Sequence, residues 1–125
     1  MIKTFVSLLL AILLFVFGAF FENKYITNAF NEFDKRLEFL ELKSDDSTAT
    51  LNDALSLREY WISKKQSLHI VIPHTEIKEI DLWVSETVSL VNQKKFDEAL
   101  QKIEVLRSLC IQIPRTFKIY TENIL

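Results

Sequence analysis

The 125-residue chain holds one glycine, one cysteine, two prolines and two histidines, and each scarcity removes a class of explanation. Phosphate-cradling loops and primed β-hairpin turns both depend on glycine for backbone conformations that other residues resist, and the single glycine is Gly18. Nucleotide-binding motifs and tight hairpins are therefore not expected. With Cys110 alone no intrachain disulfide can form, so the redox compartment is not recorded in the sequence. Zinc sites need thiolates, or imidazoles three or four residues apart, together with distant partner ligands, and that pattern is missing. Basic runs are missing too. Only Lys3 of the 15 Lys and Arg precedes residue 22, which leaves 14 against 17 Asp and Glu, a net charge of −3 with both signs interspersed. Nucleic acid is a poor partner for such a surface.

What is present is apolar residues in two arrangements. The first is a run, "FVSLLLAILLFVFGAFF" at residues 5–21, with no charge in it. As a helix its seventeen residues span about 25 Å, the lower end of what crosses a bilayer. A cleaved signal peptide has similar flanks but needs a small-x-small exit, whereas Gly18-Ala19-Phe20-Phe21-Glu22-Asn23 fills the exit with phenylalanine. Residues 1–21 are accordingly expected to be an uncleaved signal anchor that contacts the lipid bilayer through residues 5–21. Lys3 in the short tail places the N-terminus in the cytoplasm and residues 22–125 outside it. Cleavage near residue 21 would instead give a secreted soluble helical protein. Ser7, Ala11 and Gly18 lie near one face of the run, a weak signal for two anchors meeting closely.

The second arrangement is a helical period through the remainder. Ile26, Phe30, Phe33, Leu37 and Leu40 step by four and three, and this stripe is free to continue from the anchor. The polar segment "KSDDSTAT" at 43–50 supplies turn and capping residues. A second helix carries Leu51, Ala54, Leu55, Leu57, Trp61, Ile62, Leu68 and Ile72 and is expected to end against Pro73. Ile77, Ile80, Val84, Val88 and Val91 mark a third, followed by a turn at "NQKK", 92–95. Phe96, Ala99, Ile103, Leu106, Cys110 and Ile113 mark a fourth, which Pro114 is expected to stop. A last short piece places Phe117, Tyr120 and Ile124 on one side. Short connections favour antiparallel neighbours. The fold class read from this is all-α: an N-terminal transmembrane helix followed by an antiparallel bundle of two helical hairpins. "LNDAL" at 51–55 and "FDEAL" at 96–100 echo each other, each with an alanine where a partner helix can approach closely.

The densest group of ligand-type residues is "HTEIKEID" at 74–81. On a helix His74 and Glu76 are about 200° apart and cannot share an ion from one face. The H-x-E of zinc deaminases lacks its P-C-x-x-C half here. Helix initiation explains more: His74 or Thr75 as cap, with Glu76 and Glu79 near the positive end of the dipole. Cys110 falls on an apolar stripe, where a thiol stays neutral. Trp61 matches the buried stripe, while Trp83 lies beside one and has a partner-facing alternative. No catalytic set, cofactor-binding motif or metal site stands out, so no enzyme activity and no cofactor are expected.

Several stretches taken together resemble a family. "HTEIKEID", "KKFDEALQKIEVLRSL", "IP" at 113–114 and the ending "ENIL" are similar to a bacterial domain-of-unknown-function family, 4363, whose members are small proteins of Gram-positive bacteria. The likeness includes the anchor, Trp61, the His74-x-Glu76 pair, Ile80-Asp81, Glu98-Ala99-Leu100, Pro114 and Asn123-Ile124-Leu125. The chain departs from it in having Pro73 before His74, where an acidic residue is more usual, and in its polar 43–50 segment. The resemblance implies one N-terminal membrane helix with a helical remainder, and it implies that His74 and Glu76 matter, without supplying an activity. The function expected is a non-enzymatic, membrane-anchored module that binds an envelope or membrane protein. The alternative is an extracytoplasmic sensor or ligand-binding domain using His74, Glu76 or Asp81, with Trp83 as a further contact.

Overall fold

The computed structural model describes the backbone of residues 1–124 and the side chains of residues 1–119. Leu125 and the side chains of residues 120–124, with them the expectations for Tyr120 and Ile124, lie outside the described residues. The described chain forms four α-helices and no strand: α1 (Ile2–Asp45), α2 (Leu51–Leu68), α3 (His74–Asn92) and α4 (Phe96–Ile124). Each helix packs on two others, α1 on α2 and α4, α3 on α2 and α4, so the antiparallel ring of an up-and-down bundle closes.

The four stripes meet in one core. Ile26, Phe30, Phe33, Leu37 and Leu40 on α1, and Ile77, Ile80, Val84, Val88 and Val91 on α3, are all buried. Ala99, Ile103, Leu106, Cys110 and Ile113 are buried on α4, and Ala54, Leu57, Trp61 and Leu68 on α2. Ala54 and Ala99 are completely covered, as expected of small residues where helices approach. Leu51 and Ile62, placed on the α2 stripe by their spacing, instead face solvent.

α1 is one unbroken helix of 44 residues, about 66 Å long. Its first burial comes at Ile26; the apolar run before it is bare, with Phe5, Leu14, Phe15 and Phe17 all more than 60 % exposed. It is the one described helix long and apolar enough to cross a membrane, and a signal sequence passes the same test.

The glycine shortage shows at the helix ends. α1 and α3 both finish in Schellman turns, with Thr48 N–H donating to the Lys43 carbonyl and Lys95 N–H to that of Leu90. The left-handed position that glycine usually occupies falls to Ser47 (φ 57°) and Lys94 (φ 58°). α2 starts on a capping box: Thr50 Oγ accepts from the Asp53 amide, and the Asp53 carboxylate accepts from the Thr50 amide at 2.9 Å.

Two expected boundaries are corrected. α2 ends at Leu68 rather than running to Ile72, and residues 69–73 form a turn in which the Val71 and Ile72 amides both donate to the Leu68 carbonyl. Pro73 bars the preceding residue from helical geometry, and Ile70, Val71 and Ile72 are β-branched, so the helix gives way a turn early. Pro114 does not stop α4, which continues through it to Ile124. An interior proline costs about 3 kcal/mol. Ile113 is buried and Phe117 half-buried on its two sides, and burial returns roughly 1.5–3 kcal/mol for each large side chain, so the stripe carries the helix across.

Candidate functional site

The opening turn of α3 holds the residues singled out from the sequence, but it does not assemble them. Pro73 occupies the N-cap position, and no side chain makes a capping hydrogen bond. Neither His74 nor Thr75 caps the helix, because α3 begins at His74 itself and both lie inside the first turn. Glu76 does sit in that turn, near the positive end of the dipole. His74 is exposed, with its ring 5.0 Å from that of His69 across the turn.

Asp81 is committed elsewhere. Its Oδ1 accepts a 2.7 Å hydrogen bond from Trp61 Nε1, and its Oδ2 lies 2.7 Å from Lys65 Nζ. The carboxylate therefore ties α3 to α2 and satisfies the indole of a tryptophan that is 2 % exposed. His74, Glu76 and Asp81 do not converge, and among the described residues no group of three or more His, Cys, Asp or Glu is arranged to hold a metal ion. Trp83 is half-buried, with Lys102 Nζ 4.6 Å above its ring and its own N–H lacking a hydrogen-bond partner. Cys110 is buried, and burial pushes its thiol well above the usual range, so it is inert as a nucleophile.

A polar cluster that was not anticipated links α4 to α1. Arg107 donates through Nε to Asp34 at 2.9 Å and through Nη1 to Glu41 at 2.7 Å, with Glu38 at 4.0 Å. The hydrogen bonds that Arg107 donates to Asp34 and Glu41 hold the guanidinium charged beyond its usual range. The signal for it lies in the sequence: Asp34, Glu38 and Glu41 each follow a buried stripe residue, Phe33, Leu37 and Leu40, just as Arg107 follows Leu106.

An apolar concavity lies at the end of the bundle nearest the apolar run. α3 starts at His74, while α4 runs on beside α1. The last turns of α4 thus have no α3 next to them, and a cavity of about 600 Å³ opens there. Val71 to Pro73 and Glu76 line one wall, and Leu109, Ile113 and Phe117 the other. Among the described residues Glu76 is its one ionisable lining group. Such a groove suits an apolar side chain or helix face rather than a polar metabolite.

Fold and site together define an all-helical up-and-down bundle carried on a long apolar N-terminal helix, with an apolar groove at its base. The chain belongs to the family described as Domain of unknown function (DUF4363), which matches residues 20–124. The match takes in the whole bundle and begins near the end of the apolar run. No curated protein and no solved structure matches the chain.

Proposed function

We propose that the protein is a membrane-anchored, non-enzymatic interaction module of the cell envelope, with its N-terminus cytoplasmic and residues 22–125 outside. One observation carries this reading: a helix whose first turns are bare and apolar continues without a break into a packed bundle. Exposed apolar surface of this extent is covered by lipid or by another protein, and Lys3 ahead of the run sets the orientation. Cleavage near residue 21 would cut a helix whose following turns, from Ile26 onward, are held in the core.

Two partly buried charged groups tie helices together. Asp81 holds Trp61, and Arg107 joins α4 to α1. The basal groove is the surface left for a partner, and an apolar helix of another envelope or membrane protein suits its lining. The test has two arms. Alkaline carbonate extraction of membranes should leave the protein in the pellet; recovery in the soluble fraction refutes the anchor. A photo-crosslinking residue at Gln112, on the groove, should yield a discrete adduct that the same residue at Glu59, on the exposed face of α2, does not. Equal labelling from both positions refutes the groove as the contact.

A further inference from the structure

The turn between α2 and α3 presents an apolar side chain with nothing on it. Within the bundle, from residue 22 onward, Ile70 is the most exposed large apolar residue described, at 83 %. Within "HIVIP", residues 69–73, Val71 is half-buried and Ile72 buried, and no residue carries a fixed charge. An isolated exposed isoleucine is ordinary on a protein surface, so the weight falls on where this one stands.

Its height along α1 is fixed by contacts. Tyr25 Oη and Ser67 Oγ are 2.8 Å apart, and Lys64 Nζ stands 5.7 Å over the Tyr25 ring. α2 descends as α1 rises and ends one residue beyond Ser67, so the turn that holds Ile70 lies at the lower end of the bundle, on the Glu22 side of that contact. Glu22 is the first charged residue after the apolar run. α4 arrives at the same level. Counting down from Arg107, which bonds Asp34 and Glu41, Ile119 is about 18 Å lower, level with Tyr25, and it too is exposed. Tyr25, Lys24 and Lys64 therefore ring the boundary with the aromatic and basic side chains that suit a headgroup layer, and Ile70, exposed, stands on the rim of the groove at this end of the bundle.

We infer that the α2–α3 turn is a second membrane contact, in which Ile70 and Val71 enter the headgroup layer of the bilayer that α1 crosses. The occupant is lipid because the exposed apolar surface of the turn is continuous in height with the run on α1. The inference rests on the anchored reading above. Docking the base in this way fixes the tilt of the bundle and turns the mouth of the basal groove toward the membrane surface, where a membrane-embedded helix can reach it.

The test uses the full chain in vesicles of phosphatidylcholine and phosphatidylglycerol, with an environment-sensitive fluorophore on one introduced cysteine at a time. The variants are Ile70→Cys, Gln93→Cys in the distal α3–α4 turn, and Leu13→Cys in the apolar run. The parent chain treated with the same dye controls for labelling at Cys110, which is buried, and the emission of Trp61 and Trp83 reports that each variant is folded. An interfacial side chain sits about 5–10 Å into the headgroup and acyl boundary. The dye at position 70 should therefore shift to the blue and be quenched more by a nitroxide near the headgroup than by one deep in the acyl chains. Position 93 should stay unquenched and position 13 should respond to the deep nitroxide. If position 70 behaves like position 93 while position 13 is quenched, the turn stands in water and the inference is overturned with the anchor intact. If position 13 is not quenched, the anchored reading fails and the inference falls with it.

Discussion

Replacing Arg107 with methionine tests whether α4 is held to α1 by charge as well as by its apolar stripe. The substitution keeps the length and apolar stem of the side chain and removes the guanidinium. Three hydrogen bonds disappear: Nε and Nη2 to Asp34 at 2.9 and 3.4 Å, and Nη1 to Glu41 at 2.7 Å. Buried charge-assisted bonds of this kind are worth about 1.5–3 kcal/mol each, whereas exposed pairs give about 0–1 kcal/mol. The Arg107 side chain is 31 % exposed, with Asp34 at 28 % and Glu41 at 37 %, so solvent screening discounts the larger figure heavily. The bidentate fork and the shared network keep the total above the surface value. A further few tenths come from Asp34, Glu38 and Glu41, which lie on one face of α1 and repel once the cation is gone. The expected loss is about 2 kcal/mol, or roughly 10 °C in Tm for a bundle of this size. Far-UV circular dichroism includes the apolar part of α1 that detergent preserves, so the assay is the combined emission of Trp61 and Trp83, both in the bundle, during thermal unfolding of the full chain in micelles. A cycle with Asp34→Asn isolates the pair, with an expected coupling of about 1 kcal/mol that shrinks in high salt. A loss under about 0.5 kcal/mol together with zero coupling would refute the reasoning and leave apolar packing as the sole tie between these helices.

Three further outcomes are expected. Thr50→Ala removes one half of the capping box and should cost about 1 kcal/mol in the same unfolding assay. The backbone hydrogen bond from Thr50 leads the effects that hold the Asp53 carboxylate below its ordinary pKa of 3.8. The folded pKa is thus the lower one, so the stabilisation from Asp53 is complete above about pH 4 and lost as the pH falls through the folded value; an acid titration of Tm should lose that component in Asp53→Asn. Lys94→Gly should stabilise the bundle by about 1 kcal/mol, because glycine occupies the left-handed position at φ 58° without the clash a β-carbon brings. A destabilised Lys94→Gly variant would show that the Lys94 side chain makes a contribution its backbone geometry does not reveal.

How much of this was legible in the sequence depended on which force decided each feature. Apolar period fixed the helix faces, because burial is summed over many residues and survives local exceptions. That is why all five stripe positions of α1 and all five of α3 are buried, while Leu51 and Ile62, at the margins of a weaker stripe, are not. The family resemblance was equally readable, since it rests on residues spread along the whole chain. The two prolines depart from their local rule for opposite reasons. Pro114 does not break α4, because the core contacts on either side of it outweigh one lost hydrogen bond. Pro73 acts at a distance, because its effect reaches back through three β-branched residues and moves the end of α2 to Leu68.

The site was less legible than the fold because its residues act through tertiary partners. In "HTEIKEID" the sequence shows ligand-type residues but not that Asp81 is claimed by Trp61, twenty positions away. The single buried indole N–H on α2 had to find an acceptor on a neighbouring helix, and Asp81, one position past the stripe residue Ile80, is the carboxylate in reach. The contact with Trp61 gives Asp81 a role that spacing alone does not display. Trp61→Phe would remove that hydrogen bond and leave Lys65 as the remaining partner of the carboxylate.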